Sequence, residues 1–140
     1  MLPLQEISDR LEIQDLLARY SAAIDTRSWD DLDELFTPDA HLDYTETGGI
    51  AGSLPEQKAY FAEVLPMFKG SQHLTATSTI VVEGDLARVK TICFNPMVVD
   101  DRQVYFVGLW YRDSLRRTAT GWRFHERYES KSWDFHTGSR

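Results

Sequence analysis

The chain has 140 residues, which suffice for one hydrophobic core but not for two domains of ordinary size, so we expect a single domain over residues 1–140. Its net charge of −7 and pI of about 5.0 disfavour binding to nucleic acid or to an anionic membrane, because an acidic surface repels phosphate. The single cysteine, Cys93, cannot form an internal disulfide and no apolar stretch approaches the ~20 residues that span a bilayer, so we expect a cytoplasmic protein.

Three helices are predicted in the first half of the chain. Apolar residues recur at three- and four-residue spacing from Leu4 to Ile24, which predicts a long first helix. A second helix is predicted over residues 29–36, ended by the proline of the Thr37-Pro38-Asp39 segment. After a glycine-rich loop, Ser53 is a suitable cap for a third helix that runs to about Phe68.

The remaining segments are typical of strands. A short strand is predicted over residues 40–45, and four longer ones over residues 72–83, 86–99, 103–115 and 122–133, with turns between them. This order predicts an α+β fold in which three N-terminal helices pack on a strongly curved mixed or antiparallel sheet. The space between the helices and the concave face would be one pocket, closed at one end.

Several residues also match a known pattern. They are Ile13-Gln14-Asp15-Leu16, Tyr20 and Asp25 on the first helix, Asp39-Ala40, His73, and Gly121-Trp122-Arg123-Phe124 before Arg127. With the element order, they make the chain resemble the SnoaL-like (nuclear transport factor 2-like) superfamily, particularly scytalone dehydratase, bile-acid 7α-dehydratase and hexachlorocyclohexane dehydrochlorinase. The resemblance implies a cone-shaped α+β barrel whose convex sheet face packs against another subunit in a homo-oligomer, a dimer or a trimer.

The resemblance also implies a catalytic site. Those families remove a proton from the substrate with a Tyr, an Asp and a His, which match Tyr20, Asp25 and His73 here, and the pocket arginine of the dehydrochlorinase matches Arg127. The chain departs from the pattern at Asn95, which stands in the region where scytalone dehydratase has a second histidine and the bile-acid enzymes have an aspartate.

These residue types suit proton transfer. A histidine held by a carboxylate is a competent base, so Asp25 would orient His73. Tyr20 and Tyr44 are hydroxyl donors, Asn95 would orient the substrate, and Arg127 would hold an oxyanion or a leaving group. Arg127 shares its parity with Arg123 and His125 rather than with the aromatic residues of its strand, so an inward position requires a bulge or a two-sided sheet environment.

Each residue also has a structural interpretation. Asp25 is alternatively a helix-end or cap residue, His73 an exposed polar residue, and Tyr20 a residue that serves only in packing. Arg127 is alternatively paired at the surface with Glu126 or Glu129.

Aromatic residues predict an apolar pocket wall. Phe68, Phe94 and Trp110 are the candidate substrate contacts, which favours a small, hydrophobic, ring-containing substrate. The histidines show no metal-ligand spacing, and no phosphate-binding glycine loop is present, so neither a metal nor a cofactor is expected.

The leading hypothesis is therefore a cofactor-independent lyase of the dehydratase kind. Two alternatives stay open: an isomerase or cyclase that uses the same base, or a small-molecule-binding dimer without turnover.

Overall fold

The computed structural model describes residues 1–138. Helix α1 spans Leu4–Asp25, as the apolar spacing predicts, and a 3-10 helix follows at Trp29–Glu34. Helix α2 spans Leu54–Val64 and begins with a capping box, in which Ser53 and Glu56 bond each other's backbone N–H groups. The helix predicted to reach Phe68 ends earlier and continues as a 3-10 helix at Leu65–Met67, because Pro66 has no N–H to donate.

Residues 1–138 contain eight strands, which form one curved mixed sheet. They are β1 Phe36–Asp43, β2 Ala51–Ser53, β3 Gly70–Ser71, β4 Leu74–Thr75, β5 Thr79–Glu83, β6 Leu86–Val98, β7 Val104–Thr118 and β8 Gly121–His136. The main path runs β2-β1-β8-β7-β6-β3, with β4 and β5 also paired to β6, and the β1–β8 pair is parallel. The predicted α+β architecture, with helices packed on a curved mixed sheet, is confirmed.

Two predicted strands differ in extent. The strand expected over residues 40–45 begins at Phe36, so Pro38 lies inside it. It is tolerated there because the register with β8 is interrupted between Phe36 and His41, so no regular ladder needs its missing N–H. The single strand expected over residues 72–83 is divided into β4 and β5, and His73 lies in the gap between β3 and β4.

The core lies between α1 and the concave face of the sheet. Alternate residues of β6 are buried from Ala87 to Met97, including Cys93, which is the buried residue that its apolar surroundings predict. The start of α1 is held by Asp9, which accepts hydrogen bonds from the Arg117 guanidinium at 2.6 and 2.9 Å and from the Trp122 indole at 3.1 Å. These bonds fix the helix over the sheet.

A bulge in β8 decides which residues face inward. Leu115 pairs with Phe124 and Ser114 with Glu126, so His125 is an extra residue without an opposite partner. The residues of β8 that face inward are therefore Trp122 and Phe124 before the bulge and Arg127 after it. Of the two arrangements that allow an inward Arg127, the structure has the bulge.

Candidate active site

A cavity of about 230 Å³ lies between the C-terminal half of α1, α2 and the concave face of β6, β7 and β8. Its lining is mainly apolar and aromatic, with a few polar groups. The volume lies below the ~300–1,000 Å³ that is common for ligand sites, so it favours a compact substrate of about one ring.

Asp25 and His73 form a hydrogen-bonded pair at the edge of this cavity. The Nδ1 atom of His73 lies 2.7 Å from Oδ1 of Asp25, and the His73 backbone N–H donates to Oδ2 at 2.8 Å. A carboxylate only accepts hydrogen bonds, so Nδ1 carries the proton and Nε2 is the basic nitrogen. His73 lines the cavity, whereas Asp25 does not, so the predicted role of Asp25 would be exerted through His73.

The carboxylate is kept ionised by its contacts. Burial acts to raise the pKa of Asp25, but hydrogen bonds from His73 and Ser71 together hold that pKa below its ordinary value. The Ser71 hydroxyl donates to Oδ1 at 3.1 Å. Asp25 is thus a charged hydrogen-bond partner of the His73 ring.

The turn after α1 aims Asp25 at the sheet. Arg27 has a φ of 60°, a left-handed conformation that usually needs glycine. The N–H groups of Arg27 and Ser28 bond to the carbonyls of Ile24 and Ala23, which is a Schellman helix end. The Arg27 guanidinium also donates to Ser71 Oγ at 3.0 Å, so the strained residue itself supports the Asp25 hydrogen-bond network. Sequence reasoning missed both Arg27 and Ser71.

Two tyrosine hydroxyls meet in the cavity wall. The Tyr20 and Tyr44 oxygens lie 2.5 Å apart, and burial raises the pKa of both groups above the ordinary value. Both hydroxyls therefore keep their protons at neutral pH. One proton is used within the pair, which leaves the other for a substrate oxygen.

Asn95 and Phe68 line the cavity where they were expected. Asn95 is 7% exposed, and its Oδ1 accepts no hydrogen bond from the part of the chain that the structure describes. A buried, unpaired amide oxygen is costly, so a ligand donor would satisfy it. The roles assigned to these residues and to Tyr20, Tyr44, Asp25 and His73 stay predictions.

Arg127 does not line the cavity, so the prediction of a substrate contact there is wrong. Its side chain is 1% exposed and lies behind the wall, with the guanidinium carbon 3.6 Å from the Tyr111 ring centroid and 4.1 Å from that of Tyr20. Its ionic partner is Asp113 at 3.3 Å, not Glu126 or Glu129 at the surface.

Phe94 and Trp110 were also placed wrongly, since neither lines the cavity. Phe94 alternates with the buried residues of β6, and it lies on the outer face against the rings of Phe106 and Trp133. Trp110 pairs with Ile92, which is on the same outer face of β6 as Phe94. The Lys90 ammonium group lies over the Trp110 ring. Strand parity separates both residues from Asn95.

Glu129 is the main residue that sequence reasoning missed in this site. It lines the cavity, and its carboxyl is within 3.2 Å of the Thr47 hydroxyl. Burial raises its pKa to about 8, although the nearby Arg127 charge and Thr47 act in the opposite direction. Glu129 has the same parity as Arg127, and both follow the bulge at His125. An inward Arg127 therefore predicts an inward Glu129, and this was the available signal.

Within residues 1–138, no group of three or more His, Cys, Asp or Glu side chains is arranged to hold a metal ion. In the same range, no helix is long and apolar enough to cross a membrane.

The comparisons with known proteins agree on family and fold. The pattern of the SnoaL-like domain matches residues 5–128. An uncharacterized protein of Mycobacterium tuberculosis is 51% identical over 133 residues, which cover 94% of this chain and 90% of that protein.

Solved structures of similar fold include three from Novosphingobium. A hexachlorocyclohexane dehydrochlorinase of N. barchaimii superposes with a TM-score of 0.84 at 18% identity, covering 98% of this chain and 95% of the other. A protein of N. aromaticivorans provisionally described as a scytalone dehydratase gives 0.84 at 17% identity, covering 96% and 91%. Another, provisionally described as an aromatic ring hydroxylase, gives 0.85 at 26% identity, covering 99% and 96%.

Proposed function

Because the chain belongs to the SnoaL-like domain family, we propose that it is a cofactor-independent lyase of the dehydratase kind, acting on a small, hydrophobic, ring-containing substrate. The observation that carries this proposal is the Asp25–His73 pair at a largely apolar cavity. The similar fold of a dehydrochlorinase and of a protein provisionally described as a scytalone dehydratase supports it.

The proposed reaction begins with proton removal. His73 Nε2 takes a proton from a carbon next to a carbonyl group, and Asp25 stabilises the imidazolium that forms. The hydroxyl of the Tyr20–Tyr44 pair that is free to donate binds the carbonyl oxygen, where negative charge develops. Loss of a group from the adjacent carbon then gives a conjugated double bond.

A one-ring probe tests the proposal. 3-Hydroxycyclohexanone fits the cavity in size, and its elimination product, cyclohex-2-enone, is followed by mass and by ultraviolet absorbance. We expect His73→Ala to slow this reaction by roughly 10²–10⁴-fold, the usual contribution of a general base. His125→Ala is the matched control, since His125 bonds to Thr37 and does not line the cavity.

The outcomes separate the alternatives. Deuterium uptake next to the carbonyl in heavy water, without loss of water, would indicate an isomerase or cyclase. Absence of both reactions in the wild-type protein would favour the binding-only alternative and contradict the lyase.

We further propose that the outer face of β6, β7 and β8 joins copies of this chain into a homo-oligomer. Phe94, Trp133 and Phe135 are 40%, 47% and 59% exposed there, and the rings of Phe94 and Trp133 are in contact. Sedimentation of the wild-type protein should show a dimer or trimer that Phe94→Glu dissociates. Leu4→Glu, at an exposed position on α1, is the control, and a monomeric wild-type protein would exclude the proposal.

A further inference from the structure

The cavity contains one acidic side chain and one imidazole among its described lining residues, Glu129 and His73. They lie on different walls. Glu129 is on β8, whereas His73 lies beside β6, and β7 separates the two strands. The path along the sheet is about 14 Å at the usual strand spacing, and the curvature of the sheet turns the two walls toward each other. A substrate between them would have a base on one side and an acid on the other.

The surroundings of Glu129 suit a neutral carboxylic acid. Thr47 Oγ1 is within reach of both the Tyr44 carbonyl, at 3.1 Å, and Glu129 Oε1, at 3.2 Å, yet a hydroxyl has one proton to donate. The carbonyl can only accept. If Thr47 donates to it, Glu129 loses the Thr47 hydrogen bond that favours its carboxylate, and the neutral acid is favoured.

Access and charge also fit an acid that works on a ligand. Glu129 is half-buried rather than buried, because its remaining surface faces the cavity. Burial raises its pKa to about 8, so it keeps its proton at neutral pH. The Arg127 charge opposes that rise and would stabilise the carboxylate left after proton transfer.

We propose that Glu129 is the general acid of the cavity and that the substrates are cyclic hydroxyketones, which lose their hydroxyl group as water rather than an anion such as chloride. This inference rests on the proposed lyase function. His73 removes the proton next to the carbonyl, the C–H electron pair forms the C=C bond, and the C–O bond of the neighbouring carbon breaks. Glu129 gives its proton to the departing oxygen, which leaves as water.

The cycle then closes without any other reagent. His73 holds one extra proton and Glu129 lacks one, so transfer through the released water restores both groups. Hydroxide is a poor leaving group and needs this acid, whereas chloride leaves without a proton. The acid therefore determines which leaving group the site favours.

The test compares two probes with one carbon skeleton and one product. 3-Hydroxycyclohexanone and 3-chlorocyclohexanone both give cyclohex-2-enone, and uncatalysed rates are subtracted. Glu129→Gln keeps the shape but has no acidic proton, so we expect roughly 10²–10⁴-fold slower loss of water and chloride loss within about threefold of wild type. Glu126→Gln, on the same strand but outside the cavity lining, should change neither rate.

The pH profile and the outcomes complete the test. Loss of water should decline above about pH 8 in the wild-type protein, and chloride loss should show no such decline. Equal slowing of both reactions by Glu129→Gln, or slowing of neither, would overturn the acid role while leaving the lyase proposal standing. A wild-type protein that acts on neither ketone would instead overturn the lyase proposal and the substrate class with it.

A measurement without substrate tests the acid itself. In the difference between the infrared spectra of the wild-type protein and Glu129→Gln, the carbonyl band of a protonated carboxyl should be present at pH 7 and disappear above about pH 8. The carboxyl of Asp113, whose pKa burial raises to about 7, is present in both proteins and cancels in this difference. Absence of this band from the difference spectrum would overturn the assignment of Glu129 as the acid, however the ketones behave.

Discussion

Two acid–base pairs lie near the cavity, and they differ in what surrounds their charges. In the Asp25–His73 pair the carboxylate accepts three hydrogen bonds, and the side chains keep 19% and 9% of their surface exposed. In the Asp113–Arg127 pair the side chains are 0% and 1% exposed, and the closest N–O distance is 3.3 Å. Neither Asp113 oxygen has a hydrogen-bond partner in the described part of the chain.

The two carboxyl groups respond in opposite directions. Hydrogen bonds outweigh burial at Asp25 and lower its pKa, whereas burial outweighs Arg127 at Asp113 and raises its pKa to about 7. His73 reaches the cavity, but Arg127 is sealed behind aromatic rings. Burial of an ionic pair therefore does not identify a catalytic site, and access of one partner to a cavity is the better criterion.

The largest expected effect on stability comes from breaking the buried Asp113–Arg127 pair. Arg127→Met should lower the free energy of unfolding by about 3–5 kcal/mol, because it leaves Asp113 buried without a partner. Urea denaturation measures this loss. The double variant Asp113→Leu/Arg127→Met removes both charges and should be much closer to wild type than the single variant.

The stability of Arg127→Met should depend on pH in a direction that the buried Asp113 carboxyl determines. In Arg127→Met, the folded protein binds a proton at Asp113 to a higher pH than the unfolded chain, so stability falls as pH rises above the ordinary aspartate pKa of about 4. The wild-type protein shares this fall up to about pH 7, the pKa to which burial raises Asp113 when Arg127 is present. The loss relative to wild type should therefore grow only above about pH 7, and it should be smaller at pH 5 than at pH 8. A single variant as stable as wild type at pH 8 would show that the pair contributes nothing to folding.

The comparison also shows what the sequence could predict. The spacing on α1 and the alternation in β6 and β7 are local patterns, so the helices, the long strands and the burial of Tyr20 and Cys93 could be predicted. The alternation is also sufficient to place Phe94 and Asn95 on opposite faces of β6, although both are predicted as substrate contacts. The division of residues 72–83 into short strands depends on pairing with β6, which is a long-range contact.

The residues that complete the candidate site were harder to predict. The position of Glu129 depends on the bulge at His125, because one extra residue exchanges the two faces of the strand beyond it. Arg27 breaks the usual preference for glycine at a left-handed position, so no local rule indicates its contact with Ser71. Both depend on tertiary structure.

A smaller loss of stability, but a loss of activity, is expected when the cavity pair is changed. Asp25→Asn removes a charge that hydrogen bonds and partial exposure compensate. The free energy of unfolding should therefore fall by only about 1 kcal/mol, the usual value of a hydrogen bond. Elimination from 3-hydroxycyclohexanone should nevertheless slow by roughly 10²-fold or more.

The reason for that loss is the tautomer of His73. The His73 backbone N–H donates to Oδ2, so an asparagine must place its carbonyl oxygen there and its NH₂ group toward Nδ1. Nδ1 must then accept, the ring proton moves to Nε2, and the base is lost from the side that faces the substrate. Nitrogen NMR of His73 should show an Nδ1–H ring in the wild-type protein and an Nε2–H ring in Asp25→Asn. An unchanged tautomer together with a slow reaction would mean that the carboxylate acts by its charge alone, whereas an unchanged rate would remove Asp25 from the mechanism.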